Sequence, residues 1–311
     1  MKKILRVILI TFLTLVAIVL LLVTTLSVAF GIANRTNGRI LSSGELRKYL
    51  LYVPPSYDPS QPTSLVITIH GFAQWPANQA SVSQWNRVAD EFGFIVVYPQ
   101  GTGFPLRWRL RSTDELSNAD AQKEVRFYAD LIDELSAGYN IDPHQIYANG
   151  LSNGGGMSFL LACDLSGRIA AIGTVGGAYI TPFESCQPSR PVPLIAFHGV
   201  VDPIVPFHGG PSGSFEIPFP DIPTWVNQYA AQLNHCDPSP ITFLQQGSIV
   251  GQEYENCLDG ADVVFYTIAD GGHTWPGGNP LPESITGKTS QEIDATRLMW
   301  QFFQQFQLSK E

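Results

Sequence analysis

Short, continuously apolar runs alternate with helix-patterned segments along most of this chain, and that alternation constrains the fold more than any other feature of the sequence. Residues 49–53, 65–69, 94–98, 146–148, 170–175, 194–197 and 263–268 read as strands. Most are apolar throughout rather than at every second position, as expected of strands covered on both faces. Between them, residues 82–92, 124–137, 153–163, 223–233 and 290–306 carry helical patterning. In the second of these segments Val125, Tyr128, Ile132 and Leu135 recur on one helical face. Strand and helix in alternation predict an α/β domain with a mostly parallel central sheet and helices on both faces. No change of composition divides residues 45–311, so they read as a single domain, with residues 34–44 as a polar spacer before it.

The first 33 residues have a different character. Lys2, Lys3 and Arg6 precede an uncharged run over residues 7–33, which is 27 positions and longer than the roughly 20 that span a bilayer. The core of a cleavable signal, about 7–15 residues, is shorter. The segment therefore reads as a signal anchor with a cytoplasmic N-terminus and a translocated body, the alternative being a signal peptide cleaved near Ser27 and Ala29. Membrane contact is expected through this segment if it is uncleaved.

The body that follows carries 15 basic against 27 acidic groups, a net charge of −12. It has no basic footprint to offset phosphate charge, which excludes nucleic acid as an expected partner. Its cysteines, Cys163, Cys186, Cys236 and Cys257, are even in number, and a translocated body lies in an oxidising compartment where such residues pair. Four cysteines allow three pairings. The sequential one, Cys163 with Cys186 and Cys236 with Cys257, is favoured because each bond closes a loop of about 20 residues and contributes roughly 3 kcal/mol by chain entropy. Four buried free thiols are the alternative. No Cys-x-x-Cys or His-x-x-x-His spacing marks a metal site.

Gly150-Leu151-Ser152-Asn153-Gly154 has the pattern of a nucleophile elbow, a serine on a sharp strand-to-helix turn flanked by small residues. The pattern alone is weak, but here a buried-type strand precedes it and a helical segment follows. A serine hydroxyl needs a base to take its proton and a third group to hold that base. In this type of turn the carboxylate and then the histidine follow the serine along the chain. Asp202 and His273 both do, each just past a strand. Asp221, Asp262 and Asp270 compete for the acid role, but only Asp202 stands in a turn directly after a buried strand. His144 precedes the nucleophile strand, and His208 and His235 follow no strand. The oxyanion formed in acyl transfer needs N–H donors, and the backbone N–H groups of Asn153 and Phe72 are the candidates. Phe72 belongs to the His70-Gly71-Phe72 turn after strand 65–69. Aromatic residues near these segments, Trp75, Trp108, Phe207 and Trp275 with Phe215 and Phe219, suggest a substrate cleft for an apolar or aromatic acyl group. Core packing is the competing reading for each. Trp300, beside Met299 and Phe303, reads as core.

Taken together these pieces resemble the α/β-hydrolase fold, and more closely the polyhydroxybutyrate (PHB) depolymerase and feruloyl esterase-like group. The segments that carry the resemblance are His70-Gly71-Phe72, Val96-Val97-Tyr98-Pro99-Gln100-Gly101, Ile146 to Gly155 around the elbow, His198-Gly199 with Asp202-Pro203, and Gly271-Gly272-His273-Thr274-Trp275-Pro276-Gly277. The resemblance covers residues 45–305. It implies a Ser152, Asp202, His273 triad that hydrolyses carboxylic esters, such as hydroxyalkanoate oligomers or feruloyl and acetyl esters, with no cofactor. Two other readings of the same residues are a peptidase on this fold and a catalytically silent binding domain.

Overall fold

The computed structural model describes residues 2–112, 115–212 and 218–309, which fall into two units, Met1–Arg35 and Thr36–Glu311. The first is a single helix, α1 (Lys2–Ala33). Its stretch Lys3–Val28 has 26 residues and reaches a mean hydropathy of 3.1 over 18 of them. At 1.5 Å per residue that is about 39 Å, more than the ~30 Å hydrocarbon core of a bilayer. Thr11, Thr14 and Thr25 donate their hydroxyls to the carbonyls of Val7, Ile10 and Leu21 at 3.0, 2.8 and 2.7 Å, so the helix itself satisfies these polar groups.

The second unit is built on one sheet. Its strands are β1 (Gly38–Ser42), β2 (Glu45–Tyr52), β3 (Thr63–Ile69), β4 (Ile95–Pro99), β5 (Ile141–Leu151), β6 (Ala171–Val175) and β7 (Leu194–Gly199). A two-residue pair, β8 (Gly210–Pro211) and β9 (Pro218–Phe219), stands apart, and β10 (Ile241–Gln246), β11 (Ile249–Tyr254) and β12 (Val263–Ile268) complete the sheet. The order is β1-β2-β4-β3-β5-β6-β7-β12-β11-β10. The six neighbours from β4 to β12 pair in parallel, and antiparallel strands flank them on both sides.

Alternate residues of the central strands feed two apolar layers. In β3, Leu65, Ile67 and Ile69 enter one and Val66 the other. Helices α4 (Glu115–Gly138), α5 (Asn153–Asp164) and α6 (Ile222–Gln228) supply the first layer with Tyr128, Ile132, Phe159, Leu160 and Trp225. Helices α2 (Pro76–Ser83), α3 (Trp85–Phe92) and α8 (Ala295–Phe303) supply the second with Val82, Trp85, Val88, Met299, Trp300 and Phe303; α7 (Glu283–Thr286) is a single turn. The face of Val125, Tyr128, Ile132 and Leu135 is buried, as its periodicity predicts.

One expectation is corrected and one element is new. Residues 34–44 are not a spacer throughout, because Gly38–Ser42 form β1 and pair antiparallel with Ser42 opposite Glu45 and Gly38 opposite Tyr49. Ile40 and Ser42 face inward while Leu41 stays exposed, so the strand has too few apolar residues to announce itself. The hairpin β10–β11 was likewise unforeseen; β10 is mostly exposed, and its order comes from pairing with β11.

Parallel register decides where the functional edge lies. Ile69 pairs with Gly150, Leu151 with Val175, Val175 with Phe197, and Gly199 with Ile268. The turns after β3, β5, β6, β7 and β12 therefore emerge side by side at one carboxyl edge, the usual place for sites in open α/β sheets.

Candidate active site

Strand β5 ends at Leu151 and α5 begins at Asn153, which leaves Ser152 alone in the turn with φ 58° and ψ −120°. A non-glycine residue at positive φ is strained and persists only where its surroundings hold it. Here the Ser152 N–H donates to the Val175 carbonyl at 2.9 Å, while its carbonyl accepts from Ala178 N–H at 2.9 Å and Gly156 N–H at 3.0 Å. The small residues around it are steric requirements. A Cβ on Gly150 would stand 2.4 Å from the Gly154 carbonyl carbon, and one on Gly154 only 2.1 Å from the Ile69 oxygen.

The turns after β7 and β12 bring Asp202 and His273 together, with His273 Nδ1 2.7 Å from Asp202 Oδ2. The carboxylate accepts, so Nδ1 carries the proton and Nε2 keeps its lone pair. The other carboxylate oxygen accepts the N–H groups of Ile204 and Val205, both at 2.8 Å, which fixes the acid from behind. Burial pushes the Asp202 carboxyl up, but the adjacent His273 and these donors outweigh it and hold its pKa below the ordinary aspartate value. Two of the competing acids are engaged elsewhere. Asp221 caps α6 by accepting from Thr224 N–H at 3.0 Å, and Asp270 pairs with Lys288. His208 is exposed and lies 3.4 Å from Asp221.

Three supporting residues were given no role of their own by the sequence. His198 sits beneath the acid, with Nε2 2.9 Å from the Val205 carbonyl and 3.5 Å from Asp202 Oδ2; burial lowers its pKa and favours the neutral ring. Gly176 has φ 51°, and a Cβ there would stand 3.0 Å from His273 Nδ1. His70 is wholly buried, with Nδ1 2.7 Å from the Gly71 carbonyl and Nε2 accepting Gly101 N–H at 3.0 Å. It ties the turn that carries Phe72 to the end of β4. Gln74 adds a contact by accepting the Gly71 N–H at 3.0 Å.

Asn153 opens α5, where first-turn N–H groups point out of the helix without intrahelical partners. Its side chain accepts the Trp108 N–H at 2.7 Å and donates to the Trp108 carbonyl at 3.1 Å, which fastens the loop carrying Trp108 to the elbow. Phe72 and Ser152 both border two adjoining hollows. One, of about 240 Å³, is bounded by Gln74, His273, Leu281, Ile285 and Thr286. The other, of about 70 Å³, is bounded by Asn153, Ala178, Ile180, Val205 and Phe219.

None of the four aromatic residues named as substrate contacts lines these hollows. Trp108 is 2% exposed, donates its indole N–H to the His70 carbonyl at 2.9 Å and lies 6.5 Å from the parallel ring of Phe127. Trp275 is fully buried, and its N–H donates to Thr296 Oγ1 at 2.8 Å. Phe207 packs against Phe265, and half-buried Trp75 precedes α2. Trp108 and Trp275 thus take the core reading, because both are buried. Phe219 does border the smaller hollow, and Phe215 lies outside the described residues. The apolar Ile204 and Leu281, in loops after Asp202 and His273, and Ile285 on α7 were the missed signal.

Cys163 pairs with Cys186 and Cys236 with Cys257, the sequential connectivity. The first bond ties the carboxyl end of α5 to the segment after β6. Among the described residues no group of three or more His, Cys, Asp or Glu is gathered to hold a metal ion.

A family model described as Esterase PHB depolymerase matches residues 47–188, a span that contains Ser152 and ends before Asp202 and His273. A putative esterase, NocK, from Nocardia uniformis subsp. tsuyamanensis is 28% identical over 278 residues, covering 84% of this chain and 80% of the relative. Feruloyl esterase C of Emericella nidulans is 26% identical over 273 residues, covering 86% and 87%. Among solved structures, the acetyl xylan esterase from Aspergillus awamori superposes with a TM-score of 0.55 at 15% identity, over 76% of this chain and 93% of that one. That structural likeness is one of fold.

Proposed function

From the premise that this chain is a PHB depolymerase/feruloyl esterase-like α/β-hydrolase that hydrolyses carboxylic esters, we propose that it does so through an acyl-enzyme on Ser152. Ser152 Oγ attacks the ester carbonyl while His273 Nε2 takes its proton. Asp202 holds the Nδ1–H and stabilises the imidazolium. The oxyanion is met by the N–H groups of Phe72 and Asn153. The imidazolium then protonates the leaving alcohol, and water, activated by the same histidine, releases the acid. The observation that carries this reading is the 2.7 Å contact between His273 Nδ1 and Asp202 Oδ2 in the turns beside the strained Ser152.

The test is a fluorophosphonate probe together with p-nitrophenyl ester hydrolysis. Wild type labels at Ser152. Ser152→Ala loses the label and roughly 10⁶-fold in kcat, the loss expected of a serine nucleophile. Unchanged hydrolysis by Ser152→Ala would refute the mechanism. Hydroxyalkanoate oligomers and feruloyl or acetyl esters are the substrates to compare.

Helix α1 supports an extracytoplasmic body held by, or released from, an N-terminal membrane segment, and the two disulfides support the same compartment.

A further inference from the structure

Two hollows of unequal size meet at Ser152, and the chemistry of ester cleavage assigns a different half of the substrate to each. In the tetrahedral intermediate the former carbonyl carbon bears Ser152 Oγ, the oxyanion, the leaving oxygen and the acyl chain. The C–Oγ bond forms and the bond to the leaving oxygen breaks, while the serine proton passes through His273 to that oxygen. No reactant besides ester and water is required. Because His273 must reach the leaving oxygen, the alcohol occupies the hollow that His273 borders, the one of about 240 Å³ with Gln74, Leu281 and Ile285. Oxyanion and nucleophile fill two further directions, so the acyl chain is left with the smaller hollow, which His273 does not border.

We propose that this hollow is the acyl site, that Ile180 and Phe219 are its specificity-determining walls, and that it selects short aliphatic acyl groups of about two to four carbons on larger alcohols. The assignment rests on the acyl-enzyme reading of Ser152.

Its volume of about 70 Å³ is under half of the ~150 Å³ cavity that accommodates a benzene ring. An acetyl or butyryl tail fits; an octanoyl or cinnamoyl group does not. The lining from Ala178, Ile180, Ile204, Val205 and Phe219 is apolar and offers a long polar chain no partner. The walls are also fixed to the catalytic turns. Ala178 N–H holds the Ser152 carbonyl at 2.9 Å, and Val205 N–H is held by Asp202 at 2.8 Å. Phe219 is 7% exposed and belongs to the apolar layer under α6. Widening the hollow would displace close-packed core, which makes the limit steep.

The experiment uses the full chain and p-nitrophenyl esters, which keep the alcohol constant while the acyl group runs through acetate, butyrate, octanoate and cinnamate. Fluorophosphonate labelling of Ser152 is measured in the same preparations. The expected result is a fall in kcat/KM of at least about tenfold from butyrate to octanoate and again to cinnamate, in the range a pocket discriminates by size. Phe219→Ala and Ile180→Ala should each raise the octanoate-to-acetate ratio of kcat/KM about tenfold or more. Full labelling with octanoate cleaved as well as butyrate, or with the ratio unchanged in both variants, overturns the acyl assignment alone. Absence of labelling at Ser152 overturns the mechanism beneath it.

Discussion

The hydrogen bonds of His70 admit only one protonation state. Its Nδ1–H donates to the Gly71 carbonyl and its Nε2 accepts from Gly101, so both nitrogens are used only when the ring is neutral. Full burial agrees, pushing the pKa from the ordinary 6.5 down to about 4. The unfolded chain therefore binds a proton between those values that the folded chain refuses. Stability from this residue is complete above pH 6.5 and declines as pH falls toward 4, by roughly 3 kcal/mol in all at about 1.4 kcal/mol per unit. Asp202 adds its own loss only at lower pH, because its depressed carboxyl titrates below the usual 3.8. Urea unfolding of wild type between pH 7 and 4 should show the decline. His70→Gln, which keeps an acceptor for Gly101, should make it shallower, leaving the share of His198, whose pKa burial also lowers; an equal slope in both proteins would refute the account. The proposed triad of Ser152, Asp202 and His273 was legible as a set of candidates because chemistry dictates their types and chain order dictates their positions. The role of Gly176 was not, since the His273 ring that it touches comes from a turn about a hundred residues away in the chain.

At the scale of elements, strands buried on both faces were read correctly, while helix boundaries and edge strands were not. Residues 82–92 were expected as one helix, yet Gln84 at φ 56° separates α2 from α3. The cause is tertiary: Asn279, in the loop beyond His273, donates its backbone N–H to the Val82 carbonyl at 3.2 Å and its side-chain amide to the Ser81 carbonyl at 2.8 Å. The joint thus gives up helical carbonyls to a loop that sequence periodicity knows nothing of. Helix α8 starts at Ala295 rather than 290 because Asp294 caps it, accepting from Arg297 N–H at 3.0 Å. The Cys163–Cys186 bond restrains α5, the helix that begins at the elbow. With a sequence separation of 23 between its ends, removing it as Cys163→Ala/Cys186→Ala should lower unfolding free energy by about 3 kcal/mol in the chain-entropy model. Denaturant titration at neutral pH measures it, and a change under about 1 kcal/mol would argue that strain or residual unfolded structure cancels the bond's effect.

For the whole molecule, the apolar fraction of the sequence conflates two kinds of matter: an apolar helix long enough to cross a membrane, and a body with a net charge of −12 whose apolar residues are packed in two layers. The full chain should therefore sediment with membranes and stay there through a high-salt wash, since apolar burial resists salt where charge attraction does not. The unit Thr36–Glu311 should stay in the aqueous phase and keep its esterase activity. Release of the full chain by salt alone would contradict the reading of α1. By itself the sequence determined the α/β class, the candidate nucleophile turn, the candidate acid and base, and which segment forms a separate unit, because each depends on local pattern or on a required chain order. Only the tertiary structure decided which aromatic residues are core, where the helices break, how His70, Gly176 and His198 brace the site, and what borders each side of Ser152. Those depend on atoms brought within a few ångströms from distant turns, and the parallel register that gathers them at one edge is a property of the assembled sheet.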